Sequence, residues 1–258
     1  MSTYPKVAIV TGGGSGIGRS AALKLSEEGY DICIMDLKEG RAEKVKDEIT
    51  GNGGGAVVLD IDVKDEKRVK EGFDYVRDTF GSIQTVFVNA GINGTLSSIE
   101  EMEVAEWDQT LETNLRSTFL FVKHSIPLMK KDGGSIVITS SINGNRTFSN
   151  IGMAAYSTSK AGQTAFMKMA ALELAKYKIR VNAICPGAIQ TNISQNTTPK
   201  GNLKEVKIPV DYPEGSEPLE HGPGSPEQVA ELVSFLSSSR SSHITGTEIY
   251  IDGAESLL

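Results

Sequence analysis

Cysteine is scarce in this chain, and its scarcity excludes two kinds of site at once. Cys33 and Cys185 are the only two in 258 residues, and each lies inside an apolar, strand-like run. Neither has metal-ligand spacing, and neither belongs to a disulfide framework; both read as small buried hydrophobes. Histidine is equally thin. His124, His221 and His243 are scattered, so no metal site is expected. Basic residues are outnumbered, 26 Lys and Arg against 33 Asp and Glu, for a formal net charge of -7. A non-specific nucleic-acid binder normally carries the opposite field, so nucleic acid is not an expected partner. No apolar run approaches the ~20 residues of a membrane span, so no membrane is expected either. Met1 to Lys6 lead directly into an apolar strand without signal-peptide architecture, which makes a cytoplasmic location the default.

Glycine, by contrast, is abundant at 27 residues, which suggests many tight turns and close backbone approaches. Short apolar runs alternate with longer amphipathic stretches. Strands are expected at Val7–Val10, Ile32–Met35, Ala56–Ile61, Thr85–Asn89, Ser135–Thr139, Arg180–Ile184 and Glu248–Ile251. Helices are expected over Ile17–Glu28, Arg41–Ile49, Glu66–Phe80, Val104–Met129, Ala155–Lys176 and Pro226–Ser237, the fourth ending near Pro127. Such alternation indicates a parallel sheet with helices on both faces, and the right-handed crossover makes it doubly wound. The expected fold is α/β, a single Rossmann domain over residues 1–258 with about seven strands. Residues 192–223 interrupt the pattern. They are rich in Pro, Gly, Asn and Glu and are expected to form a lid over the substrate.

Thr11-Gly12-Gly13-Gly14-Ser15-Gly16-Ile17-Gly18 follows the first strand and opens the first helix. A turn of this kind lets the backbone approach a pyrophosphate, which then meets the free N–H groups and dipole of a helix N-terminus. No Lys-Ser/Thr follows the glycines, so a P-loop nucleotidase is disfavoured. Asp36 ends the second strand, where a carboxylate accepts hydrogen bonds from a ribose diol and repels a 2′-phosphate. Leu37 follows, where a phosphate site would want Arg; Lys38 and Arg19 are nearby cations. The charge argument favours NAD(H) over NADP(H). Farther on, Tyr156 and Lys160 stand four apart in a helical stretch and share a face. A phenol titrates near ~10, and a fixed ammonium beside it would lower that value and fit it for proton transfer.

Together these motifs resemble the short-chain dehydrogenase/reductase (SDR) family. The resemblance runs from Val7 to about Gly253. Its parts are the loop at Thr11–Gly18, Asp62-Val63, Asn89-Ala90-Gly91, Asn114, Ser140-Ser141, Tyr156-x-x-x-Lys160, and Pro186-Gly187 with Thr191. The resemblance implies hydride transfer between NAD(H) and a secondary alcohol or ketone. It implies Tyr156 as the acid-base residue and Ser141 as a hydrogen-bond partner of the reacting oxygen. Lys160 would tune Tyr156 and bind the nicotinamide ribose, and Asn114 would hold a water linking Lys160 to solvent. Gly12, Ser15, Gly16, Ile17 and Gly18 would hold the pyrophosphate end. Asp36, Leu37, Asp62, Val63, Asn89, Ala90 and Gly91 would border the adenosine, and Pro186, Gly187, Ile189 and Thr191 the nicotinamide. The spacing from Ser141 to Tyr156 is longer than the family's usual one, and Val88 stands where many members have Asn.

The substrate pocket is expected from Asn93–Leu96, Ile142–Ala154 and Asn192–Pro223. Asn93, Thr95, Asn143, Asn145, Arg146 and Asn150 make the first two polar, which suggests a small polyol, sugar acid or hydroxy acid, with Arg146 pairing a carboxylate. A 3-oxoacyl thioester reductase of the same family is the alternative, disfavoured by the acidic residues Glu205, Asp211, Glu214, Glu217 and Glu220 in the lid. A non-catalytic dinucleotide-sensing protein is the alternative from another class. Assembly as a homotetramer or homodimer through the two long helices is implied by the resemblance. Phe166, Met167, Met169 and Leu172 on the second of them read equally well as core.

Overall fold

The apolar runs become strands of one parallel sheet because both of their faces are covered, as continuous β-branched sequences require. The computed structural model describes residues 6–258, apart from residues 38, 202, 204, 205, 207, 209, 211 and 214 and the side chain of residue 39. In chain order the strands are β1 (Lys6–Thr11), β2 (Tyr30–Asp36), β3 (Ala56–Asp60), β4 (Thr85–Val88), β5 (Gly94–Leu96), β6 (Gly134–Thr139), β7 (Ile179–Pro186), β8 (Thr197–Pro199) and β9 (Glu248–Ile251). Seven of them form the sheet in the order β3-β2-β1-β4-β6-β7-β9. Chain order reverses between β1 and β4, and a crevice opens there beyond the carboxyl ends of the strands.

The helices are α1 (Gly16–Glu27), α2 (Glu39–Gly51), α3 (Glu66–Phe80), α4 (Val104–Leu111), α5 (Ser117–Met129), α6 (Ala154–Leu174) and α7 (Pro226–Ser237). One buried apolar layer joins the sheet to α1, α2 and α7, through Ala21, Ala22, Leu25, Val45, Ala230 and Val233. A second layer joins the other face to α3, α5 and α6, through Val69, Phe73, Phe121, Met129, Met167 and Leu174. Helix ends follow local chemistry. Asp65 accepts from the backbone N–H of Lys67 and Arg68 and starts α3. Ser225 and Gln228 form a capping box at α7, with Pro226 in its first turn.

The expected long helix at 104–129 is present, but it is not uniformly α. Residues Glu112–Arg116 form a π turn between α4 and α5, and Asn114 sits inside it. π turns of this kind gather at functional sites. The helix also runs through Pro127 to Met129 rather than ending near it. Proline there forfeits the N–H that would donate to the Lys123 carbonyl, and the burial of Leu128 and Met129 beside it offsets that cost.

The expected lid is tied at both ends. Gln190 N–H donates to Gly224 O, and Gly224 N–H donates to Ala188 O. Within it, β8 pairs in parallel with β5, outside the main sheet. Lys200 reaches Glu106 of α4 at 3.1 Å, and Arg41 of α2 donates to Gln195 at 3.1 Å. Lys38, Glu205, Asp211 and Glu214 lie outside the described residues, as do residues 1–5.

Candidate active site

A cleft of about 590 Å³ lies at the carboxyl ends of the strands. It runs from Asp36 and Arg41 at one end, past the glycine turn and Asn89-Ala90-Gly91, to Ser141, Tyr156 and Pro186 at the other. Of the residues expected to carry the chemistry or hold the cofactor, all line this cleft except Gly18 and Asn114.

The glycine turn explains itself. Gly12 and Gly16 have φ of 64° and 51°, a left-handed backbone that favours glycine. Gly18 lies beneath the turn. A Cβ there would collide with the Gly12 carbonyl oxygen and come within 2.8 Å of Asn89 Nδ2. Ser15 caps α1 in extended geometry, but its hydroxyl makes no capping bond, and the first turn carries no acidic residue. An open helix N-terminus with an uncommitted hydroxyl and no acidic residue in its first turn suits a pyrophosphate. Asp36 Oδ2 accepts the Gly14 N–H at 2.9 Å, which holds the carboxylate over the turn. Leu37 is exposed beside it.

Beneath the switch point, Thr11 Oγ1 accepts the N–H groups of Asn89 at 2.8 Å and Ala90 at 2.9 Å. The Asn89 carboxamide donates to Thr11 O and accepts from Thr139 Oγ1. Asn89 thus borders the cleft while its side chain clamps β1, β4 and β6 together.

Tyr156 and Lys160 are buried on the inner face of α6, at 7% and 3% exposure. Lys160 Nζ donates to Thr139 O at 2.8 Å and lies 5.5 Å from the Tyr156 ring centre. Burial lowers the Lys160 pKa to about 8. The expectation that Lys160 depresses the Tyr156 phenol is not what the structure gives. Burial raises the phenol above its ordinary value, and a hydrogen bond with Ser141 opposes the rise. Both groups are disfavoured in charged form by the same dry surroundings, and the ammonium is aimed at a carbonyl rather than at the phenol oxygen. The Ser141 hydroxyl also accepts the Asn143 N–H at 3.1 Å. Ser140 also lines the cleft, but its hydroxyl is committed to protein, donating to Lys160 O and accepting from Asn145.

Asn114 is fully buried behind the cleft. Its carboxamide donates to Ile92 O and Ser159 Oγ and accepts the Ile92 N–H. Its backbone carbonyl accepts from Gln163 and Thr118. These bonds hold the Ile92 loop against α6.

Arg146 is also not where a substrate carboxylate would need it. Its guanidinium stacks 3.4 Å above the Tyr250 ring, outside the cleft, and Tyr250 donates to Glu248 at 2.8 Å. Asn145 is spent on Ser140 Oγ and Ser141 O. Asn93, Asn143 and Asn150 do line the cleft. Sequence reasoning missed Gln109 and Thr113, four apart on the helix face that carries the π turn, and Glu255 beyond the last strand. The first two had a helical spacing that could have revealed them, whereas Glu255 had no motif. Among the described residues, no group of His, Cys, Asp and Glu is placed to hold a metal. No helix among them is long and apolar enough to cross a membrane.

A doubly wound sheet with a glycine turn at its switch point and a buried Ser-Tyr-Lys set in the same crevice defines a dinucleotide-binding oxidoreductase. A family model described as enoyl-(acyl carrier protein) reductase matches residues 12–254. The chain is 35% identical to cyclohexanol dehydrogenase of Acinetobacter sp. (strain SE19), over 96% of this chain and 94% of that one. The crystal structure of a 3-ketoacyl-ACP reductase from Sinorhizobium meliloti 1021 superposes with a TM-score of 0.93 at 45% identity, covering 97% and 99% of the two chains. A 3-ketoacyl-(acyl-carrier-protein) reductase from Brucella melitensis, solved with NADH, gives 0.85 at 28% identity, covering 99% and 100%. The chain belongs to the short-chain dehydrogenase/reductase family, oxidoreductases acting on CH–OH and C=O groups.

Proposed function

We propose that this enzyme interconverts a small secondary alcohol and its ketone with NAD(H), using Tyr156 as acid-base residue. The observation that carries the proposal is the sharing of one cleft by Tyr156, Ser141, the glycine turn and Asp36. The glycine turn, Ser15 and the open end of α1 would hold the pyrophosphate, and Asp36 the adenosine ribose. Pro186, Gly187, Ile189 and Thr191 would border the nicotinamide, which supplies the hydride acceptor or donor when bound. The Ser141 hydroxyl holds the substrate oxygen. As the phenolate Tyr156 takes the hydroxyl proton during oxidation, and as the phenol it gives one to the carbonyl oxygen during reduction. Lys160 would bind the nicotinamide ribose hydroxyls, and Asn114 holds the neighbouring loop in register.

Residues 192–223 act as the substrate-covering lid, pinned through Lys200 and Gln195. The Acinetobacter relative's name supports a small neutral alcohol. The Sinorhizobium relative's name supports a second reading, reduction of a 3-oxoacyl thioester. For the cofactor, Asp36 favours NAD(H) because a carboxylate repels a 2′-phosphate, while Arg41 at the same end of the cleft is an observation on the other side. The enzyme works in the cytoplasm as a homotetramer or homodimer.

The test is turnover of a panel of alcohols and 3-oxoacyl thioesters, followed by NADH absorbance, for the parent enzyme and Tyr156→Phe. The variant should lose about 10²-fold or more in kcat while binding NADH with unchanged affinity. Retained turnover would remove Tyr156 from the chemistry. In the same assay Asp36→Ala should weaken NAD(H) and narrow the preference over NADP(H); an unchanged ratio refutes the role given to Asp36.

A further inference from the structure

Glu255, from the turn after β9, lines the cleft beside the Gly187–Ala188 backbone, and no motif anticipates it. After β9, Asp252 builds a tight turn. Its carboxylate accepts the Ala254 and Ser256 N–H groups and the Ser256 hydroxyl. Ala254 there takes a left-handed φ of 71°. The turn reverses the chain and swings Glu255 back over the end of β7. Glu255 Oε2 then accepts the Ala188 N–H at 2.7 Å. Gly187 makes this approach possible, since a Cβ at that position would strike Glu255 Oε2 and Asp252.

One carboxylate oxygen is therefore anchored. Among the described residues Oε1 has no hydrogen-bond partner, and Glu255 lines the same cleft as Tyr156 and Ser141. Burial, with Glu217 and Asp252 nearby, raises its pKa, and the Ala188 N–H opposes the rise. The positive charges lining the cleft among the described residues are Arg41, Lys64 and Lys160. Arg41 reaches Gln195 at the adenosine end, Lys64 stands 3.8 Å from Asp62, and Lys160 is committed to Thr139 O. Arg146, the cation expected to meet a substrate carboxylate, is stacked on Tyr250. The substrate end thus holds an anchored carboxylate, and the cation lining the cleft beside Tyr156, Lys160, is bonded to Thr139 O.

Resting on the proposed alcohol oxidation at Tyr156, we infer that Glu255 determines specificity. Its Oε1 accepts a hydrogen bond from a second hydroxyl of a neutral substrate, and its charge excludes substrates bearing a carboxylate or phosphate. This narrows the expected class from polyols, sugar acids and hydroxy acids to neutral diols and polyols.

The experiment compares the parent enzyme with Glu255→Gln and Glu255→Ala on three probes: cyclohexanol, cyclohexane-1,2-diol and 4-hydroxycyclohexanecarboxylate. Gln keeps an acceptor for the Ala188 N–H and removes the charge, so folding is retained, and NADH affinity checks this for both variants. The parent should favour the diol over cyclohexanol and discriminate against the carboxylate. Glu255→Gln should erode both preferences about tenfold, the difference between a charge-assisted and a neutral hydrogen bond. Glu255→Ala should remove the diol preference. Unchanged kcat/KM ratios in both variants overturn the inference, as does a change confined to NAD(H) affinity, which would assign Glu255 to the cofactor. Absence of turnover by the parent on every probe would instead count against the alcohol reading itself.

Discussion

Lys160 carries a conflict between stability and function that a single residue can expose. An ammonium is buried with one carbonyl partner, and its pKa falls from 10.5 to about 8. For a base with a depressed folded pKa, the unfolded chain binds more protons between these values, so stability rises with pH across that window. A shift of this size corresponds to about 3 kcal/mol, fully felt below pH ~8. Replacement by methionine removes that penalty but leaves the Thr139 carbonyl without its donor, which costs about 1–3 kcal/mol. The two nearly cancel at neutral pH, so one melting temperature decides nothing. The pH dependence does decide. Between about pH 7.5 and 10, the unfolding free energy of the parent should gain up to about 3 kcal/mol relative to Lys160→Met, read by urea denaturation. A constant gap would mean that the ammonium is not penalised by burial. Cys33 and Cys185 behave oppositely: burial raises their thiols to about 12 and about 11, so both should resist alkylation until the protein unfolds.

At the scale of elements, α1 is held in place by the absence of a side chain. An alanine inside a helix is ordinarily favoured over glycine by about 1 kcal/mol. At Gly18 the added methyl meets the Gly12 backbone carbonyl, which cannot rotate aside. Overpacking against backbone costs about 1–3 kcal/mol and outweighs the propensity gain. Gly18→Ala should therefore lower thermal stability and, by forcing the turn open, weaken NADH binding measured by fluorescence titration. Higher stability with intact binding would show that the turn has slack. That turn was legible in the sequence because strand, glycine spacing and helix follow one another within a few residues, where local rules act. The seven sheet strands were legible for the same reason, as continuous β-branched or apolar runs. The β5–β8 pair was not, because each strand is three residues long and their pairing depends on how the lid folds back. The π turn at Asn114 has no apolar period of its own. Arg146 looked available because a sequence shows its charge and not the Tyr250 ring that captures it. The direction of the Tyr156 shift was missed because spacing reveals a neighbouring charge and not the burial that opposes it.

Across the whole molecule, α5 and α6 present two faces with different tasks. On α6, Tyr156, Lys160, Gln163 and Met167 turn inward and are buried. Of the four apolar residues noted in the sequence, Met167 is core, whereas Met169 and Leu172 are 68% and 78% exposed. Phe119 of α5 is 47% exposed and meets Phe166 of α6 edge to face at 6.1 Å. Contiguous apolar surface on two adjacent helices marks an interaction face, and a two-fold axis through it would pair the same patch with itself. The proposed assembly uses this face. A charge at its centre appears in both subunits of such a pair, so Leu172→Glu places two carboxylates against each other where apolar contact is lost. Sedimentation velocity should show the parent as a dimer or tetramer at micromolar concentration and Leu172→Glu as a smaller species. NADH affinity should survive in the variant, because the substitution lies on the face opposite Tyr156 and Lys160. A parent enzyme that sediments as a monomer would separate the exposed face from assembly, and a variant that loses NADH binding along with its partner would show that the cleft depends on the neighbouring subunit.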